Sequence, residues 1–573
     1  MHHTSLALAA VVVPALLSAQ APQPPAPEIV PQSPTTLPLK HAPQPTTAEI
    51  TAADLMTRLY IFADDSMQGR EAGTIGNVKG TDYLAQEAQR IGLVPAGDSG
   101  TYFQTIPLKT RSVDSASTFI VAGTPLVFGS EWAVLGGANV AQPSLPVVFG
   151  GVIGESTPVI SAADAEGKLV VYALPEGPAA MAAYRFTSRL ATTAALNVIV
   201  APEQILGYVS RPSTFLDEGS AEPARRTAVF VSAAGAAKLF DQPLAQLAPG
   251  AAGKTASLDV RVKTEPVPYP ARNVVAILPG SDARLRGEYV AIGAHNDHVG
   301  FDHAPVDHDS LRIFDHIVRP GGAEEASARA TPAEQEEVNR QLAAWRAAHP
   351  GTQRADSIAN GADDDGSGSV SVLEIAQKLA SLRPAPRRSI LFVWHVGEEK
   401  GLLGSEYFTD HPTVPRDSIV AQLNMDMVGR GDRWDVTGES RSGAVLHGNA
   451  NYVQLVGSRR LSTELGNLIE QVNRDDHHGL VFDYSMDANG HPMNIYCRSD
   501  HYEYARYGIP ITFFTTGGHS DYHQVTDEPE YIDYEHMARV DRLVEDVALH
   551  VANLDHRLVV DQPKPDPHGR CQQ

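Results

Sequence analysis

The sequence predicts an α/β fold: a mixed sheet flanked by helices and interrupted by a separate β-rich insertion. Two observations predict it. From residue 265 onward, apolar runs of strand length such as YVAIGA and ILFVWHV alternate with segments of helical pattern, as in a sheet buried on both faces. Between Ser112 and Thr264 the texture changes to short strands, LPVVFGG, KLVVYAL, NVIVAP and TAVFVS, separated by turns rich in Gly, Pro and Ala.

At the amino terminus, residues 1–21 contain an apolar run from Leu6 to Leu17, too short to span a bilayer, and the small-x-small site Ala19-Gln20-Ala21. This is the pattern of a cleaved secretory signal, so export to a periplasm or the extracellular medium is expected. Residues 22–47 are crowded with proline and read as an extended linker. The first globular part, residues 48–111, opens with a helix at Ala52–Phe62. It passes through the turn-rich MQGREAGTIG and continues in a helix from Val78 to Ile91, stopped by Gly92.

Residues 112–264 form the inserted domain. Residues 265–555 carry strands in ARNVVAILPG and EYVAIGAH, a helix at Ser367–Leu382, strands at Ile390–Val396, Ile419–Leu423 and Ile511–Phe514, and a closing helix at Glu535–Leu554. Two segments, His303–Ile358 and Asp432–Gly490, interrupt this alternation and read as further insertions. The first includes a polar helix near Pro332–Ala348. Residues 556–573 are a tail, and no internal repeat is found.

The 573 residues suffice for two or three domains, and 43% hydrophobic with 20% charged residues suits a globular protein. A net charge of −23 argues against a sequence-independent grip on nucleic acid or anionic lipid. No segment after the leader is apolar enough to span a membrane. The only cysteines, Cys497 and Cys571, permit one disulfide and exclude a cysteine scaffold.

The chemistry gathers where the predicted strands end, which is where open α/β sheets bind ligands. YVAIGA ends in His295-Asn296-Asp297, ILFVWHV in Glu398-Glu399, and IVAQLN in Met425-Asp426. Asp363-Asp364-Asp365 precedes the helix at Ser367, and Gly518-His519-Ser520-Asp521-Tyr522-His523 comes after ITFFTTG. Singly, each has a plain structural reading: a satisfied histidine, a solvated acid pair, or aspartates capping a helix. An EF-hand fails, because Gly361 and Val372 would occupy its first and last ligand positions. Together, two imidazoles and several carboxylates converging on one sheet edge suit Zn²⁺. A bound cation also supplies a reason for clustered carboxylates to stay ionised. There is no His-Glu-x-x-His helix and no Gly-x-Ser-x-Gly elbow, and Arg430-Gly431-Asp432 carries no weight.

GAHNDHVG, GADDDGSG, VGEEKGLLGS, NMDMVGR and SDYHQVTDE, in this order, resemble the co-catalytic di-zinc aminopeptidase family. GREAGTIG and RSDHYEYARYGIP fit its bacterial members. The family also contains glutamate carboxypeptidases, glutaminyl cyclases and the non-catalytic transferrin receptor. The resemblance covers residues 50–110 and 266–555 and implies the zinc-exopeptidase (phosphorylase/hydrolase-like) mixed sheet. The 112–264 insert looks like the protease-associated (PA) domain of many members.

The resemblance implies two Zn²⁺ per chain. Asp364 would bridge both ions, His295 and Asp426 would complete one site, and Glu399 and His523 the other. Glu398 would be the general base, Asp297 would orient His295, and Tyr522 would stabilise the oxyanion. His295, rather than the nearby His298, is the expected ligand. The implied activity is release of N-terminal residues from peptides. A carboxypeptidase or dipeptidase would add a cationic subsite, for which Arg498 and Arg430 are the candidates. A glutaminyl cyclase would operate with one zinc, and a receptor-like protein would lack ligands.

Overall fold

The computed structural model describes residues 37–573 apart from 136, 155–156, 176–189, 218–227, 327, 352 and 432–450. The expected signal segment 1–21 therefore lies outside the described residues. Within the expected linker, residues 37–47 pack against the domain. Pro38 offers its carbonyl to the Tyr60 hydroxyl, and Asp54 accepts from the Thr47 N–H at 2.8 Å.

Helices α1 (Ala52–Phe62) and α2 (Ile75–Ile91) precede the central sheet. Thr51 caps α1, and left-handed Gly92 ends α2. Six strands form the body of that sheet: β1 (Ala271–Leu278), β2 (Tyr289–His295), β3 (Ser389–His395), β4 (Ile419–Met425), β5 (Tyr452–Val456) and β6 (Ile511–Thr515). Their order is β1-β3-β2-β4-β6-β5. The middle four, β3, β2, β4 and β6, are mutually parallel, while β1 runs antiparallel to β3 and β5 antiparallel to β6. Four consecutive strands thus present their carboxyl ends on one edge.

Alternation explains the unbroken apolar runs. Ile390, Phe392 and Trp394 of β3 face a core with α1, α2, α5 (Gly368–Ser381) and α7 (Tyr534–Asn553). Leu391 and Val393 face a second core with Phe408, Tyr502 and Tyr504. Each such side chain, fully buried, contributes about 1.5–3 kcal/mol.

Between β2 and α5, strands Phe301–Asp307 and Ala355–Ile358 pair and carry α3 (His308–Val318) and α4 (Pro332–Ala348). The 432–490 segment differs from the sequence expectation. Its described part supplies β5, α6 (Thr463–Asp475) and an edge strand Val481–Asp483 to the central sheet. All of Tyr452–Val456 is buried, so this described part belongs to the core. The tail is also held: Cys571 is disulfide-bonded to Cys497, and Leu558 is buried.

Residues 118–260 build a second sheet of eight strands with its own apolar core. The chain enters it through Leu108–Val113 and returns through Val262–Pro266. These two segments pair antiparallel, with Ser112 opposite Lys263.

Candidate metal centre

The centre is built on the carboxyl edge of β3, β2, β4 and β6. His295 is the last residue of β2, and its backbone N–H donates to Asp365 at 2.9 Å. Its Nδ1 lies 3.0 Å from the Asp297 carbonyl, which leaves Nε2 directed at the acids. The Asp297 carboxylate is farther from that ring, at 3.7 Å, and instead accepts from the N–H groups of Gly397 and Glu398 at 2.7 and 3.2 Å. Asp297 thus orients His295 with its carbonyl and the Glu398–Glu399 turn with its side chain.

The aspartate triplet divides its labour. Asp363 accepts from the Gly429 N–H at 2.7 Å, and Asp365 accepts from the N–H groups of Gly368 and Met427, tying β2, β4 and α5 together. Asp527 accepts from the backbone N–H groups of Asp363 and Asp364 at 3.0 and 3.1 Å. Gly361 has φ +55°, and a Cβ there would lie 2.2 Å from the Asp364 carbonyl oxygen, so this turn requires glycine. Held this way, Asp364 straddles two imidazoles. Its Oδ1 is 3.0 Å from His295 Nε2 and its Oδ2 is 3.0 Å from His523 Nε2.

Asp426 Oδ1 stands 3.6 Å from His295 Nε2, and the Ser499 hydroxyl donates to its other oxygen at 2.7 Å. Glu399 Oε2 is 2.9 Å from His523 Nε2. The six sequence-predicted acids and imidazoles other than Asp297 therefore converge: His295, Asp364 and Asp426 on one side, His523, Asp364 and Glu399 on the other, and Glu398 3.9 Å from His295. Tyr522 stacks on the His523 ring at 4.0 Å between centroids.

Burial pushes the Glu398 carboxyl well above its ordinary range; His295 opposes this, while Asp426, Glu399 and Asp500 add to it. Burial would also raise Asp364, but hydrogen bonding to His295 and His523 holds it well below. Glu399 is held at about 2: His523 and His298 overcome burial and the repulsion of Asp364. Burial, then Asp364 and Glu399, raise the Tyr522 hydroxyl well above its usual value.

The donors fit a metal. His295 Nε2, His523 Nε2 and Glu399 Oε1 are buried without a hydrogen bond of acceptable geometry, although charged partners lie within 3.0 Å. Buried, closely spaced imidazole nitrogens and carboxylate oxygens of this kind suit Zn²⁺.

Sequence reasoning missed several members. His298, not expected as a ligand, has Nδ1 2.8 Å from Glu399 Oε1 and 3.7 Å from Asp364 Oδ2. Its signal was the second histidine of GAHNDHVG. The roles of Asp365, Asp527 and Ser499 had no local signal, since their partners across the centre are 62 to 164 residues away in sequence. Of the two arginine candidates, Arg430 is buried against Asp521, the Tyr531 carbonyl and His519, which removes it from any substrate subsite. Arg498 is 37% exposed and paired with Glu324.

This donor set on this edge defines a class, an α/β domain with a candidate metal centre at the carboxyl ends of its parallel strands. Residues 273–548 match the model of Peptidase family M28. Leucine aminopeptidase 1 of Paracoccidioides brasiliensis (strain Pb18) is 31% identical over 195 residues, covering 31% of this chain and 43% of the relative. Leupeptin-inactivating enzyme 1 of Streptomyces exfoliatus is 39% identical over 77 residues, 13% of this chain and 18% of the relative. The match thus spans less than half the length of these curated relatives. The solved aminopeptidase from Aneurinibacillus sp. strain AM-1 aligns over 90% of this chain and 97% of its own, with TM-score 0.50 and 16% identity, a likeness of fold.

Proposed function

We propose that this chain is an exported zinc aminopeptidase with two Zn²⁺ per chain, acting on the amino termini of peptides. The observation that carries the proposal is Asp364, whose two oxygens each meet a different imidazole at 3.0 Å, beside the buried acid Glu398. His295 and Asp426 would hold one ion, Glu399 and His523 the other, with Asp364 shared. When bound, the ions would supply Lewis acidity and bring a water's pKa near 7.

The chain's own groups divide the remaining work. Glu398, with its carboxylate 3.9 Å from His295, takes a proton from the attacking water and delivers it to the leaving amine. Tyr522, kept protonated by burial and the neighbouring acids, donates a hydrogen bond to the developing oxyanion. Asp297 fixes the turn that carries Glu398.

The charge balance favours a protonated amino terminus over a carboxylate as the recognised group. Arg498, the surviving candidate for a carboxylate subsite, is already matched by Glu324 of the 303–358 segment. That segment is seated on the ligand loop, since Ala323 N–H donates to the Tyr522 carbonyl at 3.1 Å. Two complete ligand sets speak against a one-zinc cyclase. The Cys497–Cys571 disulfide fits an oxidising, exported setting.

The test is zinc content measured beside turnover of aminoacyl and N-blocked aminoacyl fluorogenic amides. Cleavage of the free-amine series with zinc near two per chain is expected. Cleavage of only the N-blocked series would sink the aminopeptidase reading.

A further inference from the structure

A second group of metal-type donors lies where α6 ends and α7 passes. Asp476 and His478 come just after the last turn of α6, and α7 contributes Asp546 and His550. Those two are four residues apart, so they project from one face of the helix. His478 Nε2 is 3.0 Å from Asp546 Oδ2, and His550 Nε2 is 3.2 Å from Asp476 Oδ2. Ligand atoms of Asp476, His478 and Asp546 all lie within 4.8 Å of one another.

Two surface ion pairs would be the plain reading, and the geometry of His478 argues against it. Its side chain is only 9% exposed, and Nε2 is buried. Despite the 3.0 Å approach of Asp546, this nitrogen makes no hydrogen bond of acceptable geometry. A buried imidazole nitrogen that faces the Asp546 carboxylate without bonding it, with Asp476 in the same group, is a donor set arranged for something between them.

The site opens on a cleft of about 490 Å³ that is also lined by Lys378, Arg539 and Arg542. Those cations are turned to other partners: Lys378 to Glu49 at 2.8 Å, Arg542 to the Ile50 carbonyl at 3.0 Å, and Arg539 to Asn451.

We infer that Asp476, His478 and Asp546, with His550 as fourth donor, bind one divalent transition-metal ion of the zinc type. Two imidazoles and two carboxylates are a zinc-like set that leaves no position for chemistry, so the ion would be structural. It would pin the end of α6 to α7, the helix that closes the sheet. The site is separate from the catalytic centre: α7 meets Arg430 at His536, and Asp546 lies about 15 Å further along its axis.

The test compares the full-length holoenzyme with His478→Gln and the double variant His478→Gln/His550→Gln. After equilibration with micromolar Zn²⁺ and gel filtration, metal analysis should give one zinc fewer per chain in the double variant. Its peptidase kcat/KM should be unchanged. Added Zn²⁺ should raise Tm in the wild type and not in the double variant. Equal zinc content in wild type and double variant, with equal Tm response, would overturn the inference. Circular dichroism on the variants separates metal loss from misfolding. A failure here leaves the aminopeptidase reading intact, because the comparison counts only the difference between chains.

Discussion

The central sheet and the inserted sheet are made from the same material and put to different use. Both contain consecutive parallel strands with alternating apolar side chains: β3-β2-β4-β6 in one, and Val140–Val152, Leu169–Ala173, Leu196–Val200 and Ala228–Val231 in the other. Both enclose their own cores. They differ in the residues just beyond each strand. The central strands run into His295, Glu398-Glu399, Asp426 and the His519–His523 loop. The inserted strands run into residues such as Ala201 and Ser232, and among the described residues no metal-type grouping falls within 112–264. Strand packing makes an edge, and the first few residues past it decide whether the edge does chemistry.

Changing those few residues should therefore have the largest effects. Glu398→Gln keeps size and removes the base, so kcat should fall by about 10²–10⁴-fold with zinc content unchanged. Stopped assays beside metal analysis check this; loss of zinc from Glu398→Gln together with full activity of Glu399→Gln would reverse the two roles. His295→Ala should strip or weaken one ion outright, because its Nε2 faces both Asp364 and Asp426. His298→Ala should act one step removed. It frees Glu399 from its 2.8 Å partner, so zinc affinity should drop by about 10–100-fold while both ions still load at saturating zinc. Equal zinc loss from His295→Ala and His298→Ala would make His298 a ligand in its own right.

Two smaller effects sharpen the contrast between the sheets. Glu324→Gln leaves Arg498 without its counter-charge, so the preference for dipeptides with a free carboxylate over aminoacyl amides should rise by up to about fivefold. A ratio that does not move would remove Glu324 from the specificity argument. The smallest expected effect is excision of the inserted sheet. Its entry and exit strands pair in register, Val113 opposite Val262, so a short linker between them preserves the neck. Zinc content should not change. A folded but metal-free product would break the comparison, since it would mean that the inserted sheet supports the metal edge.

The sequence by itself determined the strands, the helices and the acids at the strand ends. Those come from hydrophobic periodicity and from the rule that a parallel sheet exposes its carboxyl edge, both of which act over a few neighbouring residues. It also carried the motifs on which the different roles expected of Glu398 and Glu399 rest. Tertiary structure alone decided which polar residues support the centre. Asp365 joins His295 to Met427, Asp527 holds the Asp363–Asp364 backbone, and Ser499 holds Asp426. It also decided that Arg430 is buried against Asp521 while Arg498 meets Glu324, and that Tyr452–Val456 joins the central sheet. The physical reason is range. A hydrogen bond or ion pair forms where two chain segments meet, and a one-dimensional sequence records each partner without recording the meeting.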